Sequence, residues 1–356
     1  MSNVFSFAIS EDGAGILKIM ESDIAKGEIK LLYTRRPNPY DSFMEESDKS
    51  IVGIFKRDGE IVGTIAGVPR NVYVAGDEHN VCYVTNMKRL HDLNSRINWI
   101  EAFNKMYDPL NSSVYFCSVV KENTDVLKML QKERPRLPFA VEMDGYRTYI
   151  ISPTAPVRNT CADLKFRRAT EADEADVLAF LKTWGGQKSL FPVIESLNGE
   201  NVPKITDFYI LHRDGNIKAL GALWDRSRSK QYVVEEYSGK VAFLRSFNPI
   251  ISRLGYVKIP PEGTQIKFTF LSFFLAEEYK CDYYRTFLYH IMDEVKKTHD
   301  MLVLGTNDHN EKREVLDELR SLKFDTRLCE VVMENFRGAK RVKFDYTNIE
   351  VECALL

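Results

Sequence analysis

The stretch FKRDGEIVGTIAGV, beginning at Phe55, is echoed by LHRDGNIKALGALW, beginning at Leu211. Each copy sets Arg-Asp-Gly between apolar runs, Arg57-Asp58-Gly59 in one and Arg213-Asp214-Gly215 in the other. Asp-Gly flanked by alternating apolar residues predicts a tight hairpin, because glycine accepts the positive φ that the turn requires. Two such hairpins with matching flanks predict a duplicated chain.

Other elements recur in the same order. FAISEDGAGILKIM from Phe7 precedes the first hairpin and RRATEADEADVLAFL from Arg167 the second, with Ala8 and Asp12 matching Ala169 and Asp173. Thr170 and Asp173 have the spacing of a capping box, so each stretch reads as strand, cap, helix. SVYFCSVVKENTDVLKML from Ser113 and DMLVLGTNDHNEKREVLDEL from Asp300 each run from an apolar strand through an Asn-bearing turn into a helix. Asn123, Asn307 and Asn310 are expected there as helix caps. The second unit is longer by an insertion at 239–263. Repeats this long mark whole domains, expected at 1–152 and 164–356, with a Pro-bearing linker at 153–163.

Composition supports a soluble two-domain chain: 44% of residues are apolar and 28% charged, and 356 residues exceed one ordinary core. A formal net charge of −2 gives no footprint for nucleic acid. No apolar run reaches the ~18–20 residues of a membrane span, so no membrane partner is expected. The six cysteines and six histidines show no ligand spacing, so no metal is expected, and reduced thiols in a cytoplasmic protein are. Cys353-Ala354-Leu355-Leu356 matches a prenylation box but lacks an upstream polybasic run.

Each unit reads as strand, helix, antiparallel hairpin, strand, helix, strand, helix and a final hairpin (FAVEMDGYRTYIIS and EVVMENFRGAKRVKFDY). The central helices are NSRINWIEAFNKMYD and YYRTFLYHIMDEVKK, the latter with Phe287, Leu288, Ile291, Met292 and Val295 on one face. This order resembles the GNAT superfamily of acyl-CoA-dependent N-acyltransferases. The resemblance implies an α/β (α+β) fold of two tandem GNAT-like domains, each a mixed, largely antiparallel sheet flanked by helices.

What the resemblance implies for chemistry can be placed residue by residue. The family's Arg/Gln-x-x-Gly-x-Gly/Ala loop, which cradles the CoA pyrophosphate at a helix N-terminus, falls on EYKCDYYRTFL from Glu278 to Leu288. Lys280 takes the Arg position, and Cys281, Tyr283 and Arg285 stand where glycines do, which projects the Tyr283 ring toward the phosphates and leaves Arg285 to offer a bidentate phosphate contact. In the first unit Ser95 and Arg96 fall in this loop. Asn123 and Asn307 sit where the family contacts the CoA arm. Thr85 and Met87, or Phe274 and Leu275, would lend backbone groups to the pantetheine arm. GNAT enzymes form no covalent intermediate; a base frees the amine and a Tyr protonates the leaving thiolate. The Tyr positions hold Leu130 and Leu319. Base candidates are Glu277 and Glu278, whose adjacency tends to raise one pKa, and His91 or Asp92.

The expected activity is therefore transfer of an acyl group from acetyl-CoA or another acyl-CoA to a small-molecule or peptide amine. The alternative is an inactive GNAT-like binding module, its cleft covered by the insertion. Acyl transfer demands that each sheet part between its fourth and fifth strands. A single continuous sheet, or central strands zipped throughout, would count against it.

Overall fold

The computed structural model describes residues 3–22, 29–90, 96–239, 247–337, 346 and 348–356. The first half runs β1 (Val4–Phe7), α1 (Gly13–Glu21), β2 (Ile29–Thr34), α2 (Pro39–Glu46), β3 (Ile51–Arg57), β4 (Glu60–Val74) and β5 (Asp77–Arg89). It continues through α3 (Trp99–Leu110), β6 (Val114–Val120), α4 (Thr124–Gln131) and β7 (Phe139–Ile151). The second half begins β8 (Lys165–Arg168), α5 (Glu174–Phe180), β9 (Phe208–Arg213), β10 (Asn216–Trp224), β11 (Gln231–Tyr237) and α6 (Asn248–Arg253). There follow β12 (Phe268–Ala276), α7 (Cys281–Thr298), β13 (Met301–Asn307), α8 (Lys312–Asp317), β14 (Ser321–Val332) and α9 (Glu334–Arg337).

The duplication is legible in the backbone. Asp58-Gly59 and Asp214-Gly215 both take positive φ, 52° and 86° in the first hairpin and 48° and 84° in the second. These angles fit a type I′ turn between twisted strands. Ala8 donates to the Val52 carbonyl and Ala169 to that of Phe208. Asp12 accepts from the Ile9 N–H and Asp173 from that of Thr170, so both caps are in place.

Twelve strands form one sheet in the order β1-β3-β4-β5-β6-β14-β7-β13-β12-β10-β9-β8, which corrects the expectation of two separate sheets. Continuity comes from exchange. The first half's last strand, β7, lies between β14 and β13, while the second half's β14 lies between β6 and β7. Arg147 and Asp325 stand opposite each other on these strands and form a bidentate pair at 2.6 and 3.0 Å. β2 and β11 form a second, two-stranded sheet that also joins the halves.

The first of the two expected terminal hairpins is corrected. FAVEMDGYRTYIIS is the unbroken strand β7, with Gly145 paired to Arg327. The Asp308 carboxylate uses the space that glycine leaves, since a Cβ would lie 2.0 Å from its Oδ2. In the second copy β14 is followed by α9, and residues 338–345 lie outside the described set.

Helices cover both faces of the sheet. α1 and α2 pack through Ile16, Ile19 and Phe43 on one face of the first half, and α3 packs through Ala102, Met106 and Leu110 on the other. α5 and α7 repeat this in the second half, with Val177 and Phe180 on one side and Phe287, Leu288 and Ile291 on the other. β12 is buried at every position, as its uninterrupted apolar sequence requires when both faces are covered. The linker is pinned, with Thr160 and Cys161 N–H groups donating to Thr286 Oγ1 of α7. Among the described residues no helix is long and apolar enough to cross a membrane.

Candidate functional site: two partings in the sheet

β5 and β6 run parallel but pair over three residues, ending at Tyr83↔Phe116. β12 and β13 do the same, ending at Phe270↔Val303. Beyond these pairs β5 continues to Arg89 and β12 to Ala276 without their parallel neighbours. The sheet is thus continuous at one end and parted at the other, twice.

Three residues past each last pair the strand bulges. In β5 the register jumps between Thr64↔Lys88 and Ala66↔Thr85, and Asn86 takes φ 52°. In β12 it jumps between Leu220↔Leu275 and Ala222↔Ser272, and Phe273 takes φ 53°. A bulge leaves an extra residue unpaired in the ladder and re-aims its backbone groups. Met87 lies in the first bulge with Thr85 beside it, while Phe274 lies in the second with Leu275 beside it.

The partings differ in what fills them. In the second, every residue of β12 and β13 is buried. The segment 349–356 enters there: the Phe273 N–H donates to Glu352 Oε2 at 2.7 Å. Lys312 Nζ donates to the Phe274 carbonyl at 3.0 Å and pairs with Glu350. Tyr146 Oη donates to the Val351 carbonyl at 3.1 Å. Burial raises the pKa of the Glu352 carboxyl. Lys230 Nζ donates to the main-chain oxygens of Ala354 and Leu356, and Ala354 and Leu355 are buried, which leaves the Cys353 box unpresented. In the first parting, by contrast, Thr85–Lys88, Cys117 and Ser118 are half-buried. Tyr83 Oη and Ser118 Oγ meet there at 2.6 Å. Burial pushes the Tyr83 hydroxyl up to about 12.

The sequence-derived residues fall into groups. Arg96 is exposed, three positions before α3. Ser95, His91 and Asp92 lie outside the described residues. Asn123 makes no side-chain cap bond. Asn307 is no cap either; it is buried at the end of β13, accepting from the Val351 N–H at 3.3 Å. Asn310 does accept from the Lys312 N–H at 3.1 Å. Leu130 is half-buried on α4 and Leu319 buried after α8.

In the second unit the expected ligands are engaged elsewhere. Arg285 faces Glu318 at 2.7 Å, Glu314 at 3.1 Å and Asp282 at 3.4 Å. The Tyr283 ring turns into the core instead of toward the loop's outer face. Glu277 takes both contacts from Lys218 Nζ, at 2.8 and 2.9 Å. Glu278 pairs with Lys280, whose hydrogen bond lowers the Glu278 pKa, so the expected upward shift is absent from it. Sequence reading missed Tyr83 and Ser118, which carry no motif. Among the described residues no group of His, Cys, Asp or Glu has the arrangement of a metal site.

No family model and no curated protein sequence matches the chain. Solved structures do. A Saccharomyces cerevisiae N-myristoyltransferase with bound myristoyl-CoA superposes with TM-score 0.57 at 10% identity, covering 99% of this chain and 90% of that one. A GCN5-related N-acetyltransferase from Anabaena variabilis matches with TM-score 0.50 at 7% identity, covering 92% and 72%. The chain has a tandem GNAT fold. Thr85 and Met87 lie on β5, and Phe274 and Leu275 on β12, in the stretches that have left their parallel neighbours. At such low identity the likeness speaks for the fold alone.

Proposed function

We propose that the chain is an acyl-CoA-dependent N-acyltransferase that works from the first parting, while the second has become a structural seat for residues 349–356. The observation that carries this reading is the contrast in burial: half-buried strand ends at Thr85–Lys88 and Cys117–Ser118, against complete burial of β12 and β13. The solved yeast neighbour binds myristoyl-CoA, which supports an acyl-CoA as co-substrate.

In this reading Thr85 and Met87, beside the Asn86 bulge, give backbone groups to the pantetheine arm and the thioester carbonyl. Arg96, ahead of α3, takes a pyrophosphate oxygen. The amine nitrogen attacks the carbonyl carbon, the C–S bond breaks, the amine releases a proton, and the thiolate takes one up. Tyr83 stays protonated at neutral pH and is the donor for the thiolate, in place of the tyrosine missing at Leu130. Between α3 and β4–β5 lies an apolar cavity of about 10 Å³, lined by Gly67, Val84, Met106 and Tyr115 among others. That is the room of a single water, so it sets no acyl length. The acceptor is a small-molecule or peptide amine.

A second reading is an inactive binding module. It is favoured by the single twelve-stranded sheet, by the glycine-free loop before α3 and by the ion pairs that hold Glu277 and Glu278. Calorimetry with acetyl-CoA separates the two. The enzyme reading expects binding that weakens in Arg96→Ala, persists in Arg285→Ala, and accompanies turnover with an amine. No heat at millimolar acetyl-CoA from folded protein would remove it in favour of the binding module.

A further inference from the structure

The seam between the halves gathers more positive charge than its own carboxylate balances. Glu46, at the end of α2, is 3% exposed. Arg35 Nη1 lies 2.8 Å and Lys230 Nζ 3.0 Å from its Oε1, with Arg226 Nη2 at 3.7 Å. Arg70 Nη2 lies 3.7 Å from Oε2. Arg35 and Arg70 come from the first half, Arg226 and Lys230 from the β10–β11 connection. Tyr33, Tyr83 and Cys82 also face the cluster, and Glu45 acts on Arg226 from the exposed side of α2. With a carboxylate at Leu356, beside Lys230, the three arginines alone would still outnumber the two anions.

The cations divide into two kinds. Arg35 donates to Tyr33 Oη and Ser42 Oγ, both at 2.9 Å, and stacks 4.2 Å over Phe43. Lys230 donates to the main-chain oxygens of Ala354 and Leu356 at 3.0 and 2.8 Å. Arg70 and Arg226 differ: in each, Nε and Nη2 are buried without a hydrogen-bond partner, and the Glu46 oxygens, themselves without one, stay 3.7 Å from both Nη2 atoms. Those two atoms form one edge of the guanidinium, the edge that grips two oxygens of a carboxylate or phosphate at once. The Arg226 side chain is 4% exposed and lies 4.7 Å over Trp224, which fixes its plane. Buried donors and surplus charge of this kind are costly unless an anion meets them.

We propose that Arg70 and Arg226 bind a small oxyanion, of carboxylate or phosphate chemistry, at the seam. Each guanidinium donates Nε–H and Nη2–H to it, while Arg35 and Lys230 hold Glu46. The Arg70 side chain, at 12% exposure against 1–4% for the other members, marks the side of approach. Because one arginine comes from each half, the ligand ties the two units together. Tyr83 borders the site through Arg70, but the inference rests on the arginines and not on the acyl-transfer reading.

Thermal unfolding of the full chain in chloride, acetate and phosphate of equal ionic strength tests this. Acetate or phosphate should raise Tm by about 3 °C or more over chloride, saturating at low millimolar concentration. General exclusion of salts from the surface would not saturate there. Saturation with acetate alone assigns a carboxylate ligand, and saturation with phosphate alone a phosphate. Arg70→Met and Arg226→Met should each lose the response, with an unchanged or higher Tm in chloride because a repelling cation is gone. Equal Tm in all three salts for the wild-type protein overturns the proposal, as does a response that survives in both variants. Should Arg226→Met fail to fold, Arg70→Met and the wild-type comparison decide the matter.

Discussion

Tyr83 and Ser118 touch across a gap that their own strands do not close. Their hydroxyls are 2.6 Å apart, although β5 and β6 have already separated after Tyr83↔Phe116. The corresponding positions of the second unit are Phe270 and Gly305, one residue and three residues along from paired Thr269 and Leu302. Neither can make such a bond, and the Tyr146 ring occupies the space beside Gly305 instead. The hydroxyl pair thus belongs to the unit whose parting is half-buried.

Tyr83→Phe should lower kcat by about 10²-fold, the range lost with a positioned general acid, while acyl-CoA affinity changes little. Burial holds the hydroxyl at about 12, so the wild-type rate should show no alkaline fall from this group at physiological pH. Steady-state rates across pH, set beside calorimetric Kd values, check both points. Equal kcat in the two proteins would remove Tyr83 from the chemistry.

The two Asp-Gly turns give a paired stability test. Gly59 and Gly215 have φ of 86° and 84°, and a Cβ would meet nothing within 4 Å at either. Alanine therefore brings conformational strain without a clash, about 1–2 kcal/mol at each turn. Urea unfolding of Gly59→Ala and Gly215→Ala should give equal losses. A loss several-fold larger in one would mean that the two turns are not equivalent.

These turns were legible because everything they need is local: two residues and their flanks. The caps at Asp12 and Asp173 and the apolar face of α7 were legible for the same reason. Strand exchange was not. It depends on pairs such as Arg147 with Asp325, 178 residues apart and drawn from different halves of the chain, and no period in the sequence announces them. The Asp144-Gly145 pair reads as a turn in sequence because a glycine inside a strand, with the Asp308 carboxylate in the space a Cβ would take, looks the same as one at positive φ. The bulge at Asn86 had a faint signal, since Asn tolerates the left-handed region, whereas Phe273 gave none. The filling of the second parting rests on Glu350 and Glu352, which read in sequence as ordinary acidic residues.

The exchanged strands should be held partly by charge. Arg147 and Asp325 side chains are 22% and 27% exposed, with bidentate geometry. A double-mutant cycle with Arg147→Ala and Asp325→Ala should yield a coupling of about 1–2 kcal/mol, above the usual surface pair. The hydrogen bond from Arg147 lowers the Asp325 pKa, so the folded form is protonated less readily than the unfolded chain. The coupling should persist above the unfolded carboxyl value and fade as pH falls through the folded one. A coupling near zero at neutral pH would leave the exchange to backbone pairing and burial.

The charge cluster at the seam predicts an unusual alkaline behaviour. Burial pushes the Lys230 ammonium down to about 7; Glu46 opposes this shift, while Arg35 and Arg226 reinforce it. In the unfolded chain a lysine holds its proton to about pH 10.4. Between these values the unfolded state binds the extra proton, so stability must rise with pH, by up to about 1.4 kcal/mol per unit. Glu46, held near 2 against burial chiefly by Arg35, then Lys230, contributes in the opposite range: its share is lost as pH drops below the unfolded carboxyl value. Urea midpoints in chloride at pH 7, 8 and 9 isolate the lysine when wild-type protein is set beside Lys230→Met, since other groups titrate alike in both. The wild-type midpoint should climb relative to the variant across this range. Parallel slopes would mean that Lys230 keeps its proton in the fold, with Glu46 and the oxygens of Ala354 and Leu356 enough to offset the three arginines around it.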